Sequence, residues 1–183
     1  MAIIPYAHED PQDDRVRAVL DRLPEPRINL FTMLANAPAL IGPSLRLGQA
    51  ILTRGDLPAD LRELAILQSA KTTDTEYEWV QHEAIAKLVG VPEEKVAAIR
   101  SGDLDALDPA EGAAMRLVDQ CIGTSTPDEA LVREVAGLHG RNGLLELLLV
   151  AGYYAMLGGV MRAVRIDVDS VVEKGMIDAD QLR

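Results

Sequence analysis

The stretch Leu61–Val89, LRELAILQSAKTTDTEYEWVQHEAIAKLV, constrains the fold more than any other. It reads as two helices joined by a short polar turn at Lys71–Thr75. On the first, Glu63, Ile66, Leu67 and Ala70 recur at offsets 0, 3, 4 and 7, one stripe of a helix. On the second, Thr75, Glu78, His82, Ile85 and Val89 recur at offsets 0, 3, 7, 10 and 14. Glu63 sits in the first stripe, and Glu78 and His82 sit in the second, among mainly apolar positions. Burying such groups is costly without partners or a purpose. A hairpin of the two helices would bring the three side chains together.

Composition favours close-packed helices. Among 183 residues, 48% are hydrophobic but only 3% are aromatic, so Ala, Leu and Val must supply the core. The length suits one domain. A net charge of −11 argues against nucleic-acid binding and against docking on an anionic membrane. An anionic substrate would need a local Arg or Lys to offset that field. The single cysteine, Cys121, excludes an intrachain disulfide and fits a cytoplasmic setting. The opening MAIIPYAHEDPQDD lacks the pattern of a signal peptide.

Gly143–Met161 is apolar apart from Glu146 and approaches the roughly 20 residues of a membrane span. Glu146, Gly152, Gly158 and Gly159 argue against that, and the segment reads as a buried central or oligomer-forming helix. Residues 1–28 form an arm and a short helix over Asp13–Leu23, stopped by Pro24 and Pro26. The domain follows over 29–169, and 170–183 is a tail. Asn29 is placed to cap a helix over Leu30–Ala35, and a helix from Pro38 reaches Leu52. After the hairpin, Gly90 ends a helix and Pro92-Glu93-Glu94 opens the next, which ends at Ser101-Gly102. Asp108-Pro109 starts a helix to Ile122. Thr126–Glu129 begins another to about Leu138, and Gly140 breaks it before a long helix from Asn142 to Arg165. No strand-like alternation persists, so the fold class is all-α.

The blocks NLFTMLANAPAL, LRELAIL, EYEWVQHEAIAKLVGVP and LLELLLVAGYYAML…RIDVD follow one another from Asn29 to Asp169. In this order they resemble the carboxymuconolactone decarboxylase-like proteins. The resemblance implies a helical bundle of the alkylhydroperoxidase D-like type that assembles as a homo-oligomer, a trimer or hexamer. It also implies a small-molecule substrate and either decarboxylase or peroxidase chemistry. The peroxidase branch uses a glutamate, a Cys-x-x-Cys pair and a histidine four residues beyond the second cysteine. Glu63 and His82 match the glutamate and the histidine, while Thr75 and Glu78 occupy the cysteine positions. Thiol-based peroxide reduction needs an attacking thiolate and a resolving thiol, and neither residue supplies one.

What remains is a carboxylate–imidazole set suited to proton transfer without a cofactor. His82 is expected as the acid/base, Glu78 as its partner or a second acid, and Glu63 as the orienting group. Thr75, Tyr77, Trp79, Tyr153, Tyr154 and Arg162 are candidate substrate contacts. Trp79 also reads as a core anchor, Tyr77 as a rim residue and Arg162 as a helix-end cation. Glu63, Glu78 and His82 offer three ligands on paper, but no metal is expected. The alternatives are an alkylhydroperoxidase- or peroxiredoxin-like antioxidant protein and a non-catalytic oligomeric binding protein.

Overall fold

The computed structural model describes residues 1–23, 25, 27–123 and 126–169. Among these, all regular structure is helical, as the composition demands. The helices are α1 (Asp14–Leu20), α2 (Asn29–Leu34), α3 (Ile41–Thr53), α4 (Ala59–Thr72) and α5 (Glu76–Val89). They continue with α6 (Glu93–Ser101), a 3-10 turn (Leu104–Ala106), α7 (Pro109–Gly123) and α8 (Glu129–Val164).

The centre of the bundle is α4, not the long C-terminal helix that the hydropathy of Gly143–Met161 favours. Every residue from Leu61 to Ala70 is buried, because α5, α6, α7 and α8 all pack on it. The stripe expected on its sequence is therefore too narrow. Its polar residues are tolerated because they find partners inside. Ser69 Oγ donates to the Ala65 carbonyl at 2.8 Å, and Gln68 Nε2 donates to Asp119 on α7 at 3.2 Å.

The turn between α4 and α5 is tight. Asp74 adopts φ 52, and the Thr75 amide returns to the Ala70 carbonyl at 2.8 Å. At Gly158, α8 closes on this turn. A Cβ there would lie 2.7 Å from Thr75 Oγ1 and 2.9 Å from Thr73 Oγ1, so only glycine permits the approach. This contact sets the depth at which α5 enters the core.

The break expected at Gly140 is present. Its backbone, φ 71 and ψ 173, interrupts α8 with a conformation that side chains rarely adopt. By length and composition alone α8 is apolar enough to cross a membrane, and less than half of its most apolar stretch is buried inside the bundle. Leu145, Leu149 and Met156 are 59%, 57% and 50% exposed, and Gly152 and Gly159 fall between and beyond them on the same stripe.

The two ends of the domain tie to each other. The Ile3 amide donates to the Val164 carbonyl at 2.8 Å, so the arm lies on its own body. Asn29 does not cap α2 with its side chain. It is the first helical residue, its amide donates to Asp169 at 2.7 Å, and its side chain donates to the Asp167 carbonyl at 2.9 Å. The cap is thus a carboxylate from the far end of the chain, which local sequence cannot show. The helix expected from Pro38 begins three residues later at Ile41. Pro24, Pro26 and the tail 170–183 lie outside the described residues.

Candidate acid/base site

Glu63 projects from α4 and His82 from α5. Glu63 is wholly buried, and its Oε2 lies 2.8 Å from His82 Nδ1. The other oxygen, Oε1, accepts from Arg62 Nε at 3.1 Å. The carboxylate is therefore held between a guanidinium and an imidazole, which offsets its desolvation. With Glu63 ionised, Nδ1 of His82 carries a proton, and Nε2 is the nitrogen left to exchange one. The ring stands edge-on to Tyr154 of α8, with centroids 4.9 Å apart and planes at 87°.

Glu78 lies one turn before His82 on the same face of α5 and is only 1% exposed. Neither of its carboxylate oxygens has a hydrogen-bond partner. Burial pushes its pKa well above the usual carboxylate range. The group is thus a carboxylic acid that keeps its proton when ordinary glutamates have lost theirs. Tyr154 lies in electrostatic reach of both acids. Burial first, and then the charges of Glu63 and Glu78, push its phenol up. Tyr153 stacks edge-on against Tyr154 at 5.3 Å and donates to the Ser44 carbonyl at 3.1 Å. Glu63, Glu78, His82, Tyr153 and Tyr154 therefore form one buried cluster.

Other candidates are placed elsewhere. Thr75 Oγ1 lies 2.8 Å from Thr73 Oγ1 in the turn under Gly158. Tyr77 donates to Asp169 at 2.9 Å and accepts from the Leu30 amide at 3.4 Å, tying α5 to the arm side of the domain. Trp79 lies beneath the Arg100 guanidinium at 4.4 Å, on the side facing α6. Arg162 is exposed and donates to the Thr73 carbonyl at 2.6 Å, at the C-terminal end of α4. Cys121 is a half-buried free thiol on α7, and burial pushes its pKa up. Among the described residues no group of three or more His, Cys, Asp or Glu side chains is arranged to hold a metal.

Two features escape sequence reasoning. The first is Arg62, which carries no mark distinguishing it from a surface charge but is buried against Glu63. The second is a cavity of about 210 Å³ between α3, the 54–57 turn, α4 and α8. Its wall is mostly apolar, with Leu47, Ile51, Leu149 and Val150, and it includes Arg54, Arg62 and Glu146. Glu63, Glu78 and His82 are not in that wall. Arg62 is the link between the cavity and the buried cluster.

The carboxymuconolactone decarboxylase family model matches residues 44–120, a stretch that includes Arg62, Glu63, Glu78 and His82. The fold is similar to the alkylhydroperoxidase AhpD core of an uncharacterized peroxidase-related protein from Ralstonia eutropha JMP134. That likeness has a TM-score of 0.73 and 16% identity over 93% of each chain. A second similar structure is the debrominase Bmp8, as a cysteine-to-alanine variant in complex with 2,3,4-tribromopyrrole. It gives a TM-score of 0.70 and 18% identity over 100% of this chain and 96% of that one. No curated protein matches the sequence. Fold and site define an all-helical protein of the AhpD type with a carboxylate–imidazole pair at its centre. The carboxymuconolactone decarboxylase family model thus matches the segment that carries the pair, and the fold is similar to that of the AhpD core.

Proposed function

We propose that this chain is a cofactor-free acid/base enzyme acting on a small carboxylic acid or lactone, with decarboxylation of the carboxymuconolactone type as its reaction class. The observation that carries the reading is the buried Glu63–His82 contact at 2.8 Å beside the unpartnered carboxyl of Glu78. In the proposed step the substrate carboxylate leaves as carbon dioxide. The electrons of the broken carbon–carbon bond move into the adjacent unsaturated lactone as an enolate. Imidazolium His82 then delivers the Nε2 proton to carbon. Glu78, still protonated, donates a hydrogen bond to the enolate oxygen. Glu63 holds the imidazole in place through its contact with Nδ1. Solvent returns the proton to His82 after product leaves.

The reading includes a homo-oligomer, a cytoplasmic setting and no cofactor. The exposed stripe Leu145–Leu149–Met156 on α8 supports a subunit contact, since apolar side chains in such a row gain from burial. A second reading is a non-catalytic oligomeric binding protein, favoured by the absence of Glu63, Glu78 and His82 from the cavity wall. The thiol peroxidase reading has no support from Thr75 and Glu78, which cannot form a disulfide.

The test is carbon dioxide release from carboxymuconolactone and related lactone acids by the wild type, His82→Gln and Glu78→Gln. Loss of about 100-fold or more in each variant is expected of a removed proton-transfer group. Undiminished turnover in both variants removes the assignment.

A further inference from the structure

A hydrogen bond at Nδ1 fixes one corner of the His82 imidazole and leaves the ring free to pivot about that bond. Delivering a proton from Nε2 to a substrate carbon needs the ring plane fixed as well, because a misplacement of about 1 Å costs up to about 100-fold in rate. Glu63 supplies the corner, with its Oε2 at 2.8 Å from Nδ1. The second constraint comes from α8. The rings of Tyr154 and His82 meet edge to face, with planes at 87° and centroids 4.9 Å apart, a geometry that aromatic pairs prefer.

Tyr154 is itself held on the other side. It is buried, and Tyr153 packs on it edge to face, with centroids 5.3 Å apart. The Tyr153 hydroxyl is anchored on α3, where it donates to the Ser44 carbonyl at 3.1 Å. Gly48 makes room for that anchor, since a Cβ there would lie 2.5 Å from the hydroxyl oxygen. Two tyrosine rings thus run in series from α3 to the imidazole on α5. Burial first, and then the charges of Glu63 and Glu78, keep the Tyr154 phenol protonated, so the brace sets no charge of its own against the imidazole.

We propose that Tyr154 is a positioning residue of the acid/base site: its ring, braced from α3 through Tyr153, sets the plane of the His82 imidazole and with it the direction of Nε2. The inference rests on the acid/base reading for its effect on turnover, and on packing alone for its effect on the ring. Tyr154 acts through His82 and carries no proton in the reaction. The role belongs to the aromatic ring and not to the hydroxyl, because the contact with His82 is made between the two rings.

The full chain, carrying carbon-13 in its histidine rings, is studied by nuclear magnetic resonance as wild type, Tyr154→Phe and Tyr154→Leu. Cross-peaks between the ring protons of His82 and Tyr154 are expected in the wild type. The order parameter of the His82 ring is expected near about 0.85 in the wild type and in Tyr154→Phe, and below about 0.6 in Tyr154→Leu. Carbon dioxide release from carboxymuconolactone gives the second readout. Tyr154→Leu is expected to lose about 10-fold or more in kcat with KM within about twofold, and Tyr154→Phe to recover most of that loss. Absent cross-peaks, a mobile His82 ring in Tyr154→Phe, or a ring as ordered in Tyr154→Leu as in the wild type each overturns the brace. The first two of these measurements leave the core filled, so they refute or support it even if Tyr154→Leu does not fold. Full kcat in Tyr154→Leu, where His82→Gln has lost it, overturns the positioning role. Loss of ring order in Tyr154→Leu with undiminished turnover in His82→Gln would instead overturn the acid/base reading and leave the brace standing.

Discussion

Glu63 on α4 reaches His82 on α5 through a hydrogen bond of 2.8 Å that is shut away from solvent. The two residues are 19 positions apart and meet because the Thr73–Thr75 turn folds one helix directly onto the next. The same carboxylate also holds Arg62. Removing it breaks a buried ion pair with Arg62 and takes from the His82 imidazole its carboxylate partner.

Glu63→Ala is therefore expected to destabilise the fold by about 3–5 kcal/mol, the usual cost of breaking a buried ion pair from one side. His82→Gln should cost less, because Glu63 keeps Arg62. Urea denaturation of the two variants at one pH compares them directly. Equal, small losses in both would show that the pair is not buried as described.

Glu78 makes stability fall as pH rises. Its carboxyl is protonated in the fold at pH values where the unfolded chain, with an ordinary value of 4.5, has released its proton. Below that value both states hold the proton and nothing is lost. Above it the unfolded state is favoured progressively, until the folded group also ionises. Glu78→Gln removes this term, so its stability should decline less than that of the wild type between about pH 5 and 8. Chemical denaturation across that range measures both slopes. Parallel slopes would mean that Glu78 ionises as an ordinary glutamate.

How far the sequence reaches is clear from particular residues. Helical periodicity put Glu78, His82 and Ile85 on one buried face of α5, and all three are buried. Gly140 breaks α8 where its sequence position suggests, and Asp128 begins that helix. Burial of α4 on all sides was not legible, because Arg62, Gln68 and Ser69 look like a solvated face, whereas Gln68 bonds Asp119 of α7, Ser69 bonds back to Ala65 and Arg62 bonds its neighbour Glu63. The Asp169 cap on α2 comes from a segment 140 residues away, beyond any local signal. Arg62 at the cavity wall was hidden for the same reason: pattern locates a face, but only packing shows what that face meets.

The exposed α8 stripe yields a prediction about assembly. Leu145→Glu combined with Met156→Glu should shift the protein to monomers in light scattering coupled to gel filtration. Helix content by circular dichroism should stay unchanged, because neither side chain is in the core. A wild-type protein that is already monomeric would remove the proposed subunit contact.

Gly158 fixes the spacing between α8 and the α4–α5 turn. Gly158→Val places new atoms against Thr75 and Thr73, and overpacking of this kind costs about 1–3 kcal/mol. Thermal denaturation should show the loss, whereas Gly159→Ala, with nothing within 4 Å, should melt like the wild type. Equal melting of both variants would place the helix farther from the turn.

The most direct test of the central claim is a double-mutant cycle on kcat/KM, built from Glu63→Gln, His82→Gln and the pair. If carboxylate and imidazole act as one proton-transfer unit, His82→Gln loses about 100-fold or more, and the double variant loses no more than that single change. Multiplicative losses in the double variant, or full turnover in His82→Gln, would contradict it.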